Sequence, residues 1–234
     1  MSLLGTQTIM AIALPVLNFN DRSAPQVKSN KIRFPQATNR GAPAATSGGG
    51  TRGETCLRNE TTRLFPVGVS MTSVTTQTNP TLFVYLPEHR AANGKLLLLD
   101  HQGEEILQAE IALPSNNAIL AIALPSSASL ELNQTYAWRF TLNCPSKVVE
   151  GTIVEDDFTE ANLKRVILDS AVDPNLTALE QAQVYADNNA WNDVLTVMAS
   201  LRKQEPETWQ ALLDYINLGE LANTEIVFFQ LTGG

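Results

Sequence analysis

The stretch Leu132-Asn133-Gln134-Thr135-Tyr136-Ala137-Trp138-Arg139-Phe140-Thr141-Leu142-Asn143-Cys144 decides how the chain is read. Tyr136, Trp138, Phe140, Leu142 and Cys144 fall on one side of an extended backbone, and Ala137, Arg139, Thr141 and Asn143 fall on the other. Such strict period-two alternation marks a strand with one buried face. Cys144 stands on the apolar side, so a bond from it would tie this strand to another part of the chain. The sequence holds one other cysteine, Cys56.

Short apolar runs separated by turn signals surround this strand. Thr81–Leu86 (Thr-Leu-Phe-Val-Tyr-Leu) is β-branched and aromatic and lies between Pro80 and Pro87, as suits a strand. Lys95–Leu99 ends in Asp100-His101-Gln102-Gly103, a turn with glycine in its last place, and Glu105–Leu113 completes a hairpin. Ala118–Leu124 is wholly apolar and closes at Pro125. Leu64–Ser73 holds one or two strand pieces broken at Pro66 and Gly68. Val148–Glu155 reads as the hairpin partner of the Tyr136–Leu142 strand, returning across Pro145-Ser146-Lys147. About seven strands at such spacing predict a sandwich. Leu132–Tyr136 is similar to the tyrosine corner of immunoglobulin-like sandwiches, whose hydroxyl bonds back to upstream backbone. An ordinary core tyrosine is the alternative.

Beyond Glu155 the spacing becomes helical. Phe158, Leu163, Val166 and Ile167, with Asp157 and Glu160 as an N-terminal box, predict a first helix that Pro174 ends. Thr177-Ala178-Leu179-Glu180 is a clearer capping box, and its helix stops at Asn188-Asn189. Trp191, Leu195, Met198 and Leu201 stripe a third helix, closed before Pro206. A fourth, from about Glu207 to Asn217, carries Trp209, Leu212, Leu213 and Ile216. Short connections make such helices antiparallel neighbours. Tyr185 through Ala190-Trp191, Val194-Leu195 and Pro206 look like one tetratricopeptide unit. A single unit cannot bury both faces, so packing on the sandwich is expected. A peptide groove presenting Tyr185, Trp191 and Trp209 is the alternative.

Hydrophobic residues make up 44% of the 234, enough for a sizeable core, but charged residues are only 17%. The surface must therefore rely on Thr, Asn, Gln and Ser, a composition common in exported proteins. Charge is uneven. Residues 1–63 carry eight Lys or Arg against three acids, a net of +5, whereas the remainder carries −13. A basic arm on an acidic body could meet an anionic surface, but the plainer reading is a solvated linker. No basic stripe with interleaved aromatics occurs, which argues against nucleic acid as a partner. No stretch has the length of a transmembrane helix. Residues 8–18 resemble the apolar core of a secretory signal but lack a preceding positive charge. Residues 1–19 thus read as a truncated signal segment or as no signal at all.

Candidate chemistry is sparse. Cys56 and Cys144 could bridge, share a metal or stay free. The lack of a second ligand pair disfavours zinc, and in an exported chain a disulfide is expected. His89 and His101 both read as solvated turn residues; a metal site would need the two turns to meet. Glu155-Asp156-Asp157 could hold calcium, but a charge cluster at a helix start explains it better. There is no Gly-x-Ser-x-Gly elbow and no phosphate loop.

Gly49-Gly50-Thr51-Arg52-Gly53 before Cys56, then Pro80–Pro87, Tyr136-Ala137-Trp138 and Tyr185…Asn189-Ala190-Trp191-Asn192-Asp193-Val194-Leu195, resemble a cyanobacterial family known as "domain of unknown function 928". The resemblance spans about Gly49 to Leu218. It implies export to the envelope and no known catalytic residue. The expected organisation is mainly β with an α tail: signal segment 1–19, disordered linker 20–53, β-sandwich 54–156, helical tail 157–220 and C-terminal extension 221–234. The expected role is a non-enzymatic periplasmic or secreted protein that binds another protein or a surface polymer and needs no cofactor. The alternatives are a hydrolase using loop carboxylates or a metal, and a structural accessory domain without a ligand.

Overall fold

In chain order the strands are β1 (Phe65–Pro66), β2 (Thr72–Thr75), β3 (Thr81–Leu86), β4 (Asn93–Leu99), β5 (Glu105–Ala112), β6 (Ala118–Ala123), β7 (Thr135–Leu142) and β8 (Phe158–Arg165). Three helices follow, α1 (Ala178–Asp187), α2 (Trp191–Leu201) and α3 (Pro206–Tyr215), and the chain returns as β9 (Ile226–Gln230). These assignments come from a computed structural model, which describes residues 32–34, 56–59, 61–68, 72–144, 157–168 and 172–232. One sheet has the order β1-β3-β6-β9 and the other β2-β8-β7-β4-β5. Neighbours are antiparallel except β2 with β8 and β6 with β9.

Three layers result: sheet on sheet, with the helices on the outer face of the four-stranded sheet. Strand β3 shows why. Leu82, Val84 and Leu86 point into the core between the sheets with Leu96, Leu98, Phe140 and Leu163, whereas Phe83 points the other way, into a second core with Trp191, Leu195 and Leu212. Strand β6 lies beside it and is buried on both faces. A continuous apolar run rather than an alternation is what such a strand requires. In the other sheet one face is wet. Tyr136, Trp138, Phe140 and Leu142 of β7 are buried, while Arg139 on the opposite face pairs with Glu160 and lies 4.7 Å from the centre of the Phe158 ring.

The corner before β7 is built as its sequence suggested. Asn133 takes a left-handed φ of 63°, and the Glu131 N–H donates to the Tyr136 hydroxyl at 2.8 Å. Cys56 and Cys144 form a disulfide across a separation of 88 residues.

Three expectations need correction, and a fourth falls outside the described residues. The first expected helix is strand β8. Its residues Thr159, Ala161 and Leu163 are buried in alternation, and it pairs with β7 from Thr135↔Lys164 to Thr141↔Phe158. The helical spacing of Phe158, Leu163 and Val166 was real, but the open edge of β7 supplied hydrogen bonds to a whole strand, and pairing overrode local preference. Asp157 therefore opens a strand, not a helix. Its carboxylate accepts the Cys56 N–H at 3.0 Å. Val148–Glu155, expected as the partner of β7, lies outside the described residues. The C-terminal extension contains β9, an edge strand of the sandwich, because Ile226 fits under the helices while Val227 and Phe229 pack on the core between the sheets. Finally, the linker contains part of the fold: Ile32 is buried in the helix-side core.

Candidate functional site

Each helix delivers one side chain to a common surface. Helix α1 starts at a reciprocal capping box: the Glu180 N–H donates to the Thr177 hydroxyl oxygen and the Thr177 N–H to the Glu180 carboxylate. This fixes the phase of Gln183 on the outward side. Asn189, at φ 59°, turns the chain sharply so that Trp191 becomes the first residue of α2. Pro206 at the first turn of α3 suits a position whose N–H has no intrahelical partner, and Tyr215 closes that helix.

Residues 32–34 dock on this surface, 150 positions from the glutamine that holds them. The Arg33 N–H donates to Gln183 Oε1 at 2.6 Å, and Gln183 Nε2 donates back to the Arg33 carbonyl at 3.3 Å. The same Nε2 donates to Asp187 Oδ1 at 2.7 Å, which sets the orientation of the amide. The flanking side chains go inward. Ile32 is 6% exposed. The Phe34 ring stacks on Tyr215 at 5.0 Å and on Trp191 at 6.5 Å, and Trp191 and Tyr215 are themselves 5.1 Å apart. Arg33 points to solvent.

A polar cluster anchors α2 to the sandwich. Asp193 is 2% exposed. One carboxylate oxygen accepts the Thr75 hydroxyl at 2.5 Å; the other accepts the Thr76 N–H and hydroxyl, each at 2.7 Å. Burial pushes the Asp193 carboxyl above the usual range, outweighing the downward pull of these donors. Tyr185 stands beside it. Burial first, and the Asp193 charge second, push its phenol up, against hydrogen bonds with the Thr76 and Gln77 side chains.

The residues expected at an interaction surface therefore part company. Trp191 lies at the surface where residues 32–34 dock. Tyr185 belongs to the Asp193 cluster. Trp209 is enclosed at 2% exposure, with its indole N–H donating to the Ala222 carbonyl at 3.2 Å, so it supports α3 and offers no face. Gln183, Tyr215, Phe34 and Asp193 were missed. A signal for the arm existed: Ile32-Arg33-Phe34 is an apolar-x-aromatic alternation inside a polar stretch. Asp193 is an acid in the first turn of a helix, which the sequence alone would place in solvent.

His89 is not a solvated turn residue. It is 4% exposed, with Nε2 3.0 Å from the Pro114 carbonyl and Leu57 bridged to it. His101 sits on the exposed β4–β5 turn. Among the described residues, the one cluster of three metal-ligating side chains is Cys56, Cys144 and Asp157; since its sulfurs are joined in a disulfide, it is not a donor set. A depression of about 680 Å³ lies beside α3, lined by Arg202, Lys203, Glu207 and Gln210 among others, without either histidine.

The sequence pattern of the family described as Domain of Unknown Function (DUF928) matches residues 47–226. No curated protein matches the chain. Among solved structures, the fn3 domain of the human collagen alpha-1(XX) chain is similar over 55% of this chain and 100% of that domain, at 14% identity and a TM-score of 0.29. A likeness that slight carries nothing about fold or role.

Proposed function

This chain belongs to the family described as Domain of Unknown Function (DUF928), and from that premise we propose that it is a non-enzymatic exported protein that binds another protein through its helical layer. The observation that carries this is the docked segment 32–34: the helices hold a distant stretch of extended chain by its backbone and by an aromatic side chain. A surface built this way suits a polypeptide better than a polymer lacking amide groups. On this reading the sandwich is immunoglobulin-like, with the Tyr136 corner as its mark, and α1 and α2 are tetratricopeptide-like. A periplasmic or secreted setting in a cyanobacterial envelope follows from the family resemblance and is supported by the disulfide. Among the described residues no helix is long and apolar enough to cross a membrane.

The hydrolase alternative called for a cleft with two buried, displaced carboxylates or both histidines. Among the described residues Asp193 is the one buried carboxylate, and threonines occupy it. The test is a photo-cross-linking residue placed in living cells at position 211, which is exposed one turn before Tyr215 on α3, with position 139 on the far sheet as control. A defined protein adduct at 211 and none at 139 supports the reading. Adducts at 139 only, or at neither, overturn it.

A further inference from the structure

The strongest unexplained feature is the manner in which residues 32–34 are held. In an extended residue the N–H and C=O point to the same side, and a neighbouring strand normally takes both. Here the amide of Gln183 does so, accepting from one and donating to the other. The contact reads backbone, so it is indifferent to the side chain at the middle position, and Arg33 accordingly points outward. Selection falls on the flanking positions. Ile32 enters the core beside the helices, and Phe34 meets two aromatic rings. Asp187 holds the Gln183 amide in the orientation this requires, so the reader is set independently of the segment it reads.

We propose that the surface formed by Gln183, Trp191 and Tyr215 is a binding site for an extended peptide of aliphatic-any-aromatic pattern, and that residues 32–34 occupy it as the protein's own ligand. The proposal rests on the binding role given above and names the chemistry of the partner. The site resembles strand addition in its physics, with main-chain bonds for affinity and alternate pockets for specificity. It needs a segment whose N–H and C=O are both free, which means a loop, a terminus or a linker rather than a helix.

The resident segment also sets a threshold. Residues 32–34 and the surface that holds them belong to one chain, with residues 35–55 between Phe34 and Cys56 in sequence. A ligand joined covalently to its site is held at an effective concentration of about 1 mM. A free peptide with an intrinsic Kd of about 10 μM would then bind about 100-fold more weakly than to an empty site. A partner gains access by making contacts beyond the three positions, or by being tethered nearby itself.

The experiment uses the full chain and a fluorescent synthetic peptide of residues 29–38. The expected result is binding about 100-fold tighter to the Ile32→Ala/Phe34→Ala chain than to the unaltered one. Adding Gln183→Ala should abolish the gain, and so should replacing the peptide's phenylalanine by alanine. A folded double variant that ignores the peptide at about 1 mM, or one that binds it no better than the unaltered chain, overturns the proposal. Should the double variant lose its cooperative melt, hydrogen exchange in the unaltered protein decides. Excess peptide should displace the arm and speed exchange of the Arg33 amide at least tenfold, whereas unchanged exchange overturns the proposal. If the peptide fails while position 211 still cross-links to a protein, the ligand class is wrong and the helical surface stands. If both fail, the binding role falls as well.

Discussion

Replacing Asp193 by alanine tests the joint between the helices and the sandwich. The carboxylate takes three donors, and they differ in how well they survive its loss. The Thr76 N–H is fixed by the backbone and cannot turn away, so it is stranded at a cost of about 1–3 kcal/mol. The Thr75 and Thr76 hydroxyls can rotate to other acceptors, and they forfeit bonds to a charged acceptor for about 1.5 kcal/mol each, the low end for such bonds. Removing a carboxylate that burial penalises returns part of this. The expected net loss is about 2–4 kcal/mol, read as a lower urea midpoint with an unchanged slope.

The pH dependence has a definite sign. Because the Asp193 carboxyl is raised in the fold, the folded chain keeps a proton that the unfolded chain gives up from about pH 4 upward. Stability of the unaltered protein therefore falls as pH rises from there through the raised value, by linkage. Asp193→Ala lacks this loss, so the gap between the two proteins should narrow across that window. A destabilisation below about 0.5 kcal/mol, or a gap that widens with pH, would refute the reasoning; widening would mean the threonine donors outweigh burial.

Four further outcomes are expected. Tyr136→Phe leaves the Glu131 N–H without its acceptor and should cost about 1–2 kcal/mol in chemical denaturation; no change would deny the corner a structural role. A methyl at Gly94 would come 2.6 Å from Phe140 Cζ, in a core where Phe140 is fully buried, so Gly94→Ala should cost about 1–3 kcal/mol and be partly rescued by Phe140→Leu. Reducing the Cys56–Cys144 bond opens a loop of 88 residues and should cost about 4–5 kcal/mol on the chain-entropy estimate, whereas two thiols that alkylate without reductant would show the bond is not formed. Trp191→Ala should cost about 3–5 kcal/mol in a single cooperative transition; full stability with loss of a bound partner would instead make Trp191 an exposed anchor.

Local chemistry made much of this legible. Thr177 and Glu180 announced the start of α1 and Asn188-Asn189 its end, because capping and turn residues act within a few positions of themselves; Pro206, legible as the limit of the preceding helix, is the first residue of α3. The docking surface was legible only in its tryptophan. Gln183, Trp191 and Tyr215 come from three helices, and Ile32-Arg33-Phe34 from a stretch whose composition is that of a linker. Nothing near Gln183 in sequence distinguishes it from any other polar residue on an exposed helix face.

The period-two pattern of Tyr136–Leu142 and the spacing of the other apolar runs by themselves pointed to a sandwich, because they show which faces of a strand tolerate water. Burial of Ala118–Ala123 on both faces, and the bond between two cysteines that the sequence left open to a bridge, a metal or two free thiols, were added by the structure. Tertiary structure alone decided that Phe158–Arg165 is a strand and that Ile226–Gln230 rejoins the sandwich, since both depend on an unpaired edge elsewhere in the chain. It also decided that Asp193 is buried and that Ile32 and Phe34 dock. A side chain's distance from water, and the partner a strand edge will take, are set by parts of the chain that local pattern cannot see.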